Sequence, residues 1–254
     1  MGCHVGIRRP RIRRKPRKSR SRVTRPDDFQ VIALPLGEFT FGAADPWPGQ
    51  AGIVVGYAVR HRAGVFLFDT GFARPEPELD TFYASYQVQV RPVLEALDAV
   101  GIARDEVTAI ANCHLHLDHC GQNPLFPGVP ISVQPAEWAA AHEPDYTVAS
   151  VLDFPGARYV QVDGDHEPAP GIRIFATPGH SPGHQSLVVE VPDGPLLLAG
   201  QAVYSHGEWT GIPGAREGAS TAPDRPAYQR SVERLRAIRP KTVLFGHDTA
   251  AWRG

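Results

Sequence analysis

The sequence predicts a mixed α/β fold: two sheets packed face to face with helices on the outside. Short strand-like apolar runs recur in both halves of the chain, at residues 30–34, 53–59, 65–68, 107–111, 172–176, 186–191, 195–199 and 242–245. Helical periodicity falls between them, at residues 90–100 and 225–238. Strand after strand then ends in a loop that carries Asp, His or Gln: Asp69, residues 114–119, His180, Gln201 and His247. Strand ends gathered at one sheet edge make a rigid platform for a site.

The 254 residues can bury a sizeable core. A content of 42% hydrophobic and 21% charged residues is that of an ordinary soluble globular protein. No apolar run reaches the ~18 residues of a membrane span, so no membrane partner is expected. The net charge of −1 conceals a segregation. Residues 1–25 hold 11 of the 26 Lys and Arg and no acidic residue, which leaves 15 basic against 27 acidic residues, a net of −12, for the remainder.

Residues 1–26 are therefore expected to be a disordered basic tail. It reads as an arm for nucleic acid or an acidic membrane surface, or as an extension with no role of its own. Its paired arginines precede no apolar segment, so it is not a secretory signal. The acidic balance of the rest argues against nucleic-acid contacts beyond the tail. Three cysteines, Cys3, Cys113 and Cys120, give no disulfide framework and suit a cytoplasmic location.

The first strand is expected over residues 30–34, and a Gly- and Pro-rich loop with Trp47 covers 41–50. Residues 53–59 and 65–68 form a hairpin whose second strand ends in Asp69-Thr70-Gly71. Asp69 is either a turn residue or the group that holds a ligating histidine in place. Residues 72–88 read as a loop. Val90, Val93, Leu94, Leu97 and Val100 keep a helical period, with Gly101 as the C-terminal cap. Residues 130–133 read as a strand, and Pro135 opens a short helix to about His142. Residues 143–170 are poorly patterned, and none is assigned to a site. Strands at 172–176, 186–191 and 195–199 follow, the last two joined by the turn Pro192-Asp193-Gly194. Asp224 caps a last helix with Tyr228, Val232, Leu235 and Ile238 on its inner face, and Pro240 stops it.

The chemistry is concentrated in Cys113-His114-Leu115-His116-Leu117-Asp118-His119-Cys120, a loop expected to follow the strand at 107–111. Imidazole and carboxylate ligands suit zinc and similar divalent metals. His114 and His116 point the same way from an extended backbone, whereas Asp118 and His119 diverge, so one loop begins two sites. Cys113 and Cys120 read as small buried filler, with a thiolate ligand as the alternative.

His114-Leu115-His116-Leu117-Asp118-His119, Pro178-Gly179-His180 and Gly246-His247-Asp248, preceded by Asp69-Thr70-Gly71, resemble the metallo-β-lactamase superfamily over residues 29–250. The strings through Cys120-Gly121-Gln122-Asn123 and Ser181-Pro182-Gly183-His184-Gln185-Ser186-Leu187 most resemble the N-acyl-homoserine lactone lactonases, as does Tyr204 three residues after Gln201. The resemblance implies a four-layer αβ/βα sandwich, a hydrolase domain over residues 27–254, and two Zn2+ sites. Carried over, His114, His116 and His180 hold one metal, and Asp118, His119 and His247 the other. Gln201 stands where the family usually has a bridging aspartate. Its neutral carbonyl oxygen can coordinate one metal but bridges poorly. A weakened second metal, a single metal, or substitution by Glu208 or His206 all follow from that change. His184 is expected to support the fold or a ligand rather than to bind metal.

The resemblance implies a lactonase, a metal-dependent hydrolase that opens N-acyl-homoserine lactones in quorum quenching. Metal lowers the pKa of bound water from ~15.7 towards ~7, and the resulting hydroxide attacks the carbonyl. Tyr204 or the second metal stabilises the oxyanion, and Asp118 carries a proton to the leaving alkoxide. Tyr204 has a plain alternative as a core aromatic. Trp47, Phe72, Tyr83, Tyr86, Trp138 and Trp209 are candidates to line an apolar cleft. The alternatives are a glyoxalase II-like thioesterase or other ester hydrolase, or a metal-binding protein with weakened catalysis. The expected partner is a small-molecule lactone or ester, and the expected state is a monomer or homodimer.

Overall fold

The computed structural model describes residues 29–254; the basic tail, with Cys3, lies outside the described residues. The first half supplies β1 (Gln30–Thr40), β2 (Ala51–His61), β3 (Gly64–Phe68), α1 (Asp80–Tyr86), β4 (Gln89–Val90), α2 (Val93–Ala99), β5 (Val107–Ala111), α3 (Leu117–Cys120), β6 (Ile131–Val133), α4 (Pro135–Ala140), α5 (Ala149–Leu152) and β7 (Tyr159–Gln161). The second supplies β8 (His166–Ala169), β9 (Ile172–Ala176), β10 (Gln185–Val191), β11 (Gly194–Leu198), α6 (His206–Thr210), α7 (Arg225–Ala237), β12 (Thr242–Leu244) and β13 (Trp252–Arg253). Among the described residues these strands form a seven-stranded sheet, β4-β1-β2-β3-β5-β6-β7, and a six-stranded sheet, β13-β12-β11-β10-β9-β8.

Period-two alternation decides the layering. Phe66 and Phe68 of β3 face the same cluster as Leu187 and Val189 of β10 and Leu196 and Leu198 of β11, so the two sheets bury their inner faces together. Val65 and Leu67 face the other way and meet Val93 and Leu97 of α2, Cys120 of α3 and Val151 and Leu152 of α5. Val188 and Leu197 turn outward beneath Trp209 of α6 and Leu235 of α7. Helices therefore cover both outer faces, which is the expected four-layer sandwich.

The strand ends gather as expected. β3 pairs parallel with β5, and β11 parallel with β12. β9 and β11 each run antiparallel to the β10 between them, so they share a direction. The loops after β3, β5, β9, β11 and β12 accordingly open at sheet ends, and Asp69, residues 112–119, His180, Gln201 and His247 sit on them.

The differences from expectation are local. β1 runs past Leu34 to Thr40 because Pro35 falls at a register shift between Pro35 and Gly37, where its missing N–H costs no ladder bond. The stretch 72–88, read as a loop, contains α1, and residues 143–170 contain α5, β7 and β8. These pieces are too short to show a period. The helix read from residue 90 starts at Val93, after Pro92 in extended conformation. Asp224 caps α7 as expected, its carboxylate accepting the Ala227 N–H at 2.9 Å.

Candidate metal centre

β5 ends at Ala111, the chain bends at Cys113 and His114, and His116, in extended conformation, is the N-cap of the single turn α3. His114 thus leaves from a bend rather than the expected extended run, His116 from the extended N-cap, and Asp118 and His119 from the helical turn. The turn is held from below: Asn112 Nδ2 donates to the His119 carbonyl at 2.9 Å, and Thr70 N–H donates to the same carbonyl at 2.8 Å.

The three loops bring two donor sets together. Nε2 of His114 lies 2.8 Å from Nδ1 of His116 and 3.2 Å from Nε2 of His180. Nε2 of His119 lies 3.3 Å from Nε2 of His247 and 3.2 Å from Oδ2 of Asp118, which is 3.7 Å from His247 Nε2. Four zinc ligands at about 2.05 Å in a tetrahedron stand about 3.3 Å apart, so both sets have the spacing of ligands around one ion. Burial, and then the neighbouring histidines, hold His114 and His180 well below the ordinary histidine pKa, so they are neutral imidazoles, the state a metal binds. His180 Nδ1 is buried with no hydrogen-bond partner. The residues present fit divalent metal.

Carboxylates and carbonyls orient the rings. Asp69, at the end of β3, takes φ +65°, a strained conformation that Asp tolerates better than most residues. Its Oδ1 accepts the Cys113 N–H at 2.7 Å, and its Oδ2 lies 3.0 Å from His119 Nδ1. Of the two readings of Asp69, the structure matches the one that holds a histidine. His247 Nδ1 donates to the Ile53 carbonyl at 2.7 Å. Burial opposes charge on Asp118, but the imidazoles of His119, His247 and His116 outweigh it and hold its carboxyl below the usual range.

Gln201 is 8% exposed, with its Oε1 3.1 Å from His247 Nε2. Its backbone N–H donates to His184 Nε2 at 2.9 Å, and His184 Nδ1 meets Thr177 Oγ1 at 2.9 Å. Both nitrogens of His184 are thus engaged, and it supports the loop that carries Gln201. Glu208 does not reach the donor sets, because it accepts the Tyr204 and Gly218 N–H groups and the Tyr228 hydroxyl. His206 opens α6, and its backbone N–H donates to Asp248. Cys113 and Cys120 are buried thiols whose pKa burial pushes up, which matches the filler reading. Cys113 Sγ packs against Nδ1 of His114 and of His119, behind the converging nitrogens.

Above the donors lies a cleft of about 570 Å³. His116, Asp118, His180, Gln201 and His247 form its floor, and Phe39, Phe41, Phe72, Leu79, Phe82 and Tyr86 one wall. Tyr204 joins the floor with its ring stacked on His247, centroids 4.7 Å apart and 14° between planes. Its hydroxyl makes no hydrogen bond among the described residues. Of the aromatics expected here, Phe72 and Tyr86 line the cleft, and Trp47, Tyr83, Trp138 and Trp209 do not. Trp47 packs behind Tyr204, the Tyr83 hydroxyl donates to Ala73, Trp138 faces another cavity and Trp209 meets Trp252 edge to face. The stretch 143–170 was assigned no role, yet Asp145, Tyr146, Thr147 and Val148 form part of the wall. Their only sequence signal is an aromatic residue in a polar loop.

Comparison with known proteins agrees with this picture. Residues 49–247 match the family model described as the metallo-beta-lactamase superfamily. An N-acyl homoserine lactonase of a Bacillus species is 34% identical over 214 residues, covering 78% of this chain and 82% of the relative. N-acyl homoserine lactonase AiiA of Bacillus thuringiensis subsp. kurstaki is 33% identical over 208 residues, covering 76% and 80%. Among solved structures, an N-acyl homoserine lactone hydrolase with the product N-hexanoyl-L-homoserine at its catalytic metal centre superposes with a TM-score of 0.73 at 27% identity, covering 88% of this chain and 94% of that one.

Proposed function

Because the chain belongs to the metallo-β-lactamase superfamily, we propose that it is a zinc-dependent hydrolase that opens the ring of N-acyl-homoserine lactones. The observation that carries this reading is the convergence of two donor sets on the floor of a largely apolar cleft. His114, His116 and His180 would hold one ion, and Asp118, His119 and His247 the other, with the Gln201 carbonyl oxygen beside His247. When bound, such ions supply a hydroxide nucleophile near neutral pH and polarise the carbonyl under attack.

The chain's own residues do the rest. The aromatic wall takes the acyl chain and leaves the ring at the floor. Burial raises the Tyr204 phenol pKa, so the hydroxyl keeps its proton and can donate to the developing oxyanion. Asp118 is 20% exposed at the cleft floor, and its low pKa keeps it an acceptor. It is placed to receive a proton and return it to the ring oxygen as the ring opens.

Among the described residues the cleft is lined by Asp45, Asp118 and Asp145 and by no Lys or Arg. With metal bound at the floor, Asp45 and Asp145 are the carboxylates left outside the proposed ligands, and their repulsion of an anionic outer end favours a neutral lactone over the glutathione thioester of the glyoxalase II-like alternative. Purified protein, metal-replete, chelated and reconstituted with zinc or cobalt, should be assayed on a homoserine lactone and a glutathione thioester. Lactone opening should vanish with chelator and return with metal. A metal-replete protein that opens no lactone would defeat the proposal.

A further inference from the structure

Beneath the histidine triplet lies a carboxylate that no ligand role uses. Glu137, the third residue of α4, is 1% exposed and has no ion pair among the described residues. Its Oε1 accepts the Leu115 N–H at 2.7 Å and the Tyr146 hydroxyl. Its Oε2 accepts the Ser181 hydroxyl at 2.6 Å and the Gly183 N–H at 3.1 Å. Burying a carboxylate is costly unless its lone pairs are filled, so this arrangement needs a reason.

The donors supply it. Leu115 lies between His114 and His116, and Ser181 follows His180. Tyr146 has its ring 4.7 Å from that of His116, and it lines the cleft. Gly183 sits so close that a Cβ there would lie 2.2 Å from the Glu137 backbone nitrogen. One side chain thus ties the loop after β5 to the loop after β9 and to the cleft wall. None of Asp118, His119 and His247 hydrogen-bonds to it; His119 is held by Asp69 and His247 by the Ile53 carbonyl.

We propose that Glu137 is the positioning residue of the His114–His116–His180 triplet, setting the spacing of its nitrogens and, through Tyr146, tying them to the cleft wall. The proposal rests on reading the triplet as a metal site, but not on the identity of the substrate.

Glu137→Gln keeps the shape but presents an amide where two donors need an acceptor. The sites are read one at a time, in a His247→Ala background for the triplet and a His180→Ala background for the other set. Metal-free protein is titrated with zinc against a chromophoric chelator, and with cobalt while the visible d–d absorption is followed. Glu137→Gln should weaken zinc at the triplet by about 10–100-fold and change its cobalt spectrum. The other set should move by less than about threefold. Unchanged affinity and spectrum at the triplet would overturn the proposal, as would equal losses in both backgrounds, which a merely structural role would give. Should Glu137→Gln not fold, Ser181→Ala removes one tie. It should weaken zinc at the triplet alone, and an unchanged triplet would again overturn the proposal. Failure of the parent backgrounds to bind any metal would remove the metal centre itself, and this proposal with it.

Discussion

Gln201 sets the charge of the centre. It has the reach of a ligand, with Oε1 3.1 Å from His247 Nε2, but it brings no negative charge. Asp118 is then the one carboxylate among the proposed ligands, and the positive charge of two divalent ions is left less compensated. Like charges at close range in a buried site repel strongly, so the two ions should bind unequally. Competition with a chelator should strip one equivalent of zinc well before the other. Gln201→Asp should tighten that weaker equivalent by at least about tenfold. Two equal affinities in the native protein, unchanged in Gln201→Asp, would show that the carbonyl oxygen suffices. At this scale the legibility of the sequence depended on context. The histidines and Asp118 were legible because their spacing has few other uses. Glu137 was not, because a lone acidic residue in the first turn of a helix usually faces solvent and favours the helix dipole. Only the packing of α4 against two loops shows that it is buried.

Elements were legible where burial imposes a period. β3 and β9–β12 alternate between two packed faces, and their expected ends lie within a residue or so of those observed. α1 and α6 were missed because seven and five residues are too few to display a 3.6-residue repeat. α7 was legible from both ends, and it also bears on the site. The backbone at Gly179 takes φ +139°, and a Cβ there would lie 2.3 Å from the Tyr228 nitrogen, so the loop carrying His180 rests directly on the first turn of α7. The Asp224 cap, which also donates its N–H to the Gly179 carbonyl, therefore steadies the helix and the loop together. Asp224→Ala should cost about 1 kcal/mol and lower Tm by about 2–4 °C. Its backbone bond to Gly179 survives, so zinc stoichiometry should be kept. Calorimetry with metal analysis checks both, and an unchanged Tm would show that the cap is dispensable.

Across the whole molecule, charge and shape point to the same kind of substrate. Outside residues 1–25 the chain carries a net −12, and among the described residues the cleft lining contributes Asp45, Asp118 and Asp145 and no Lys or Arg. The bulk imbalance was legible from composition; its focus at the cleft was not, since Asp45 and Asp145 lie in loops that carry no pattern. Among the described residues no helix is long and apolar enough to cross a membrane. Phe82, 37% accessible, lines the cleft, where under the proposed function it would meet a ligand's apolar end. Metal bound at the floor would offset Asp118, so the repulsion is left to Asp45 and Asp145, which should act on an anionic group at a substrate's outer end within about a Debye length, about 8 Å at physiological ionic strength. Two lactones of equal chain length, one ending in a methyl group and one in a carboxylate, isolate that effect. The carboxylate-ended compound should show a kcat/KM at least about tenfold lower at low salt. Added salt should narrow the gap by raising its rate, while the neutral lactone changes little. If the two were equal at low salt, the carboxylates of the cleft would be screened or turned away from the substrate, and the charge argument against anionic thioesters would fall with them.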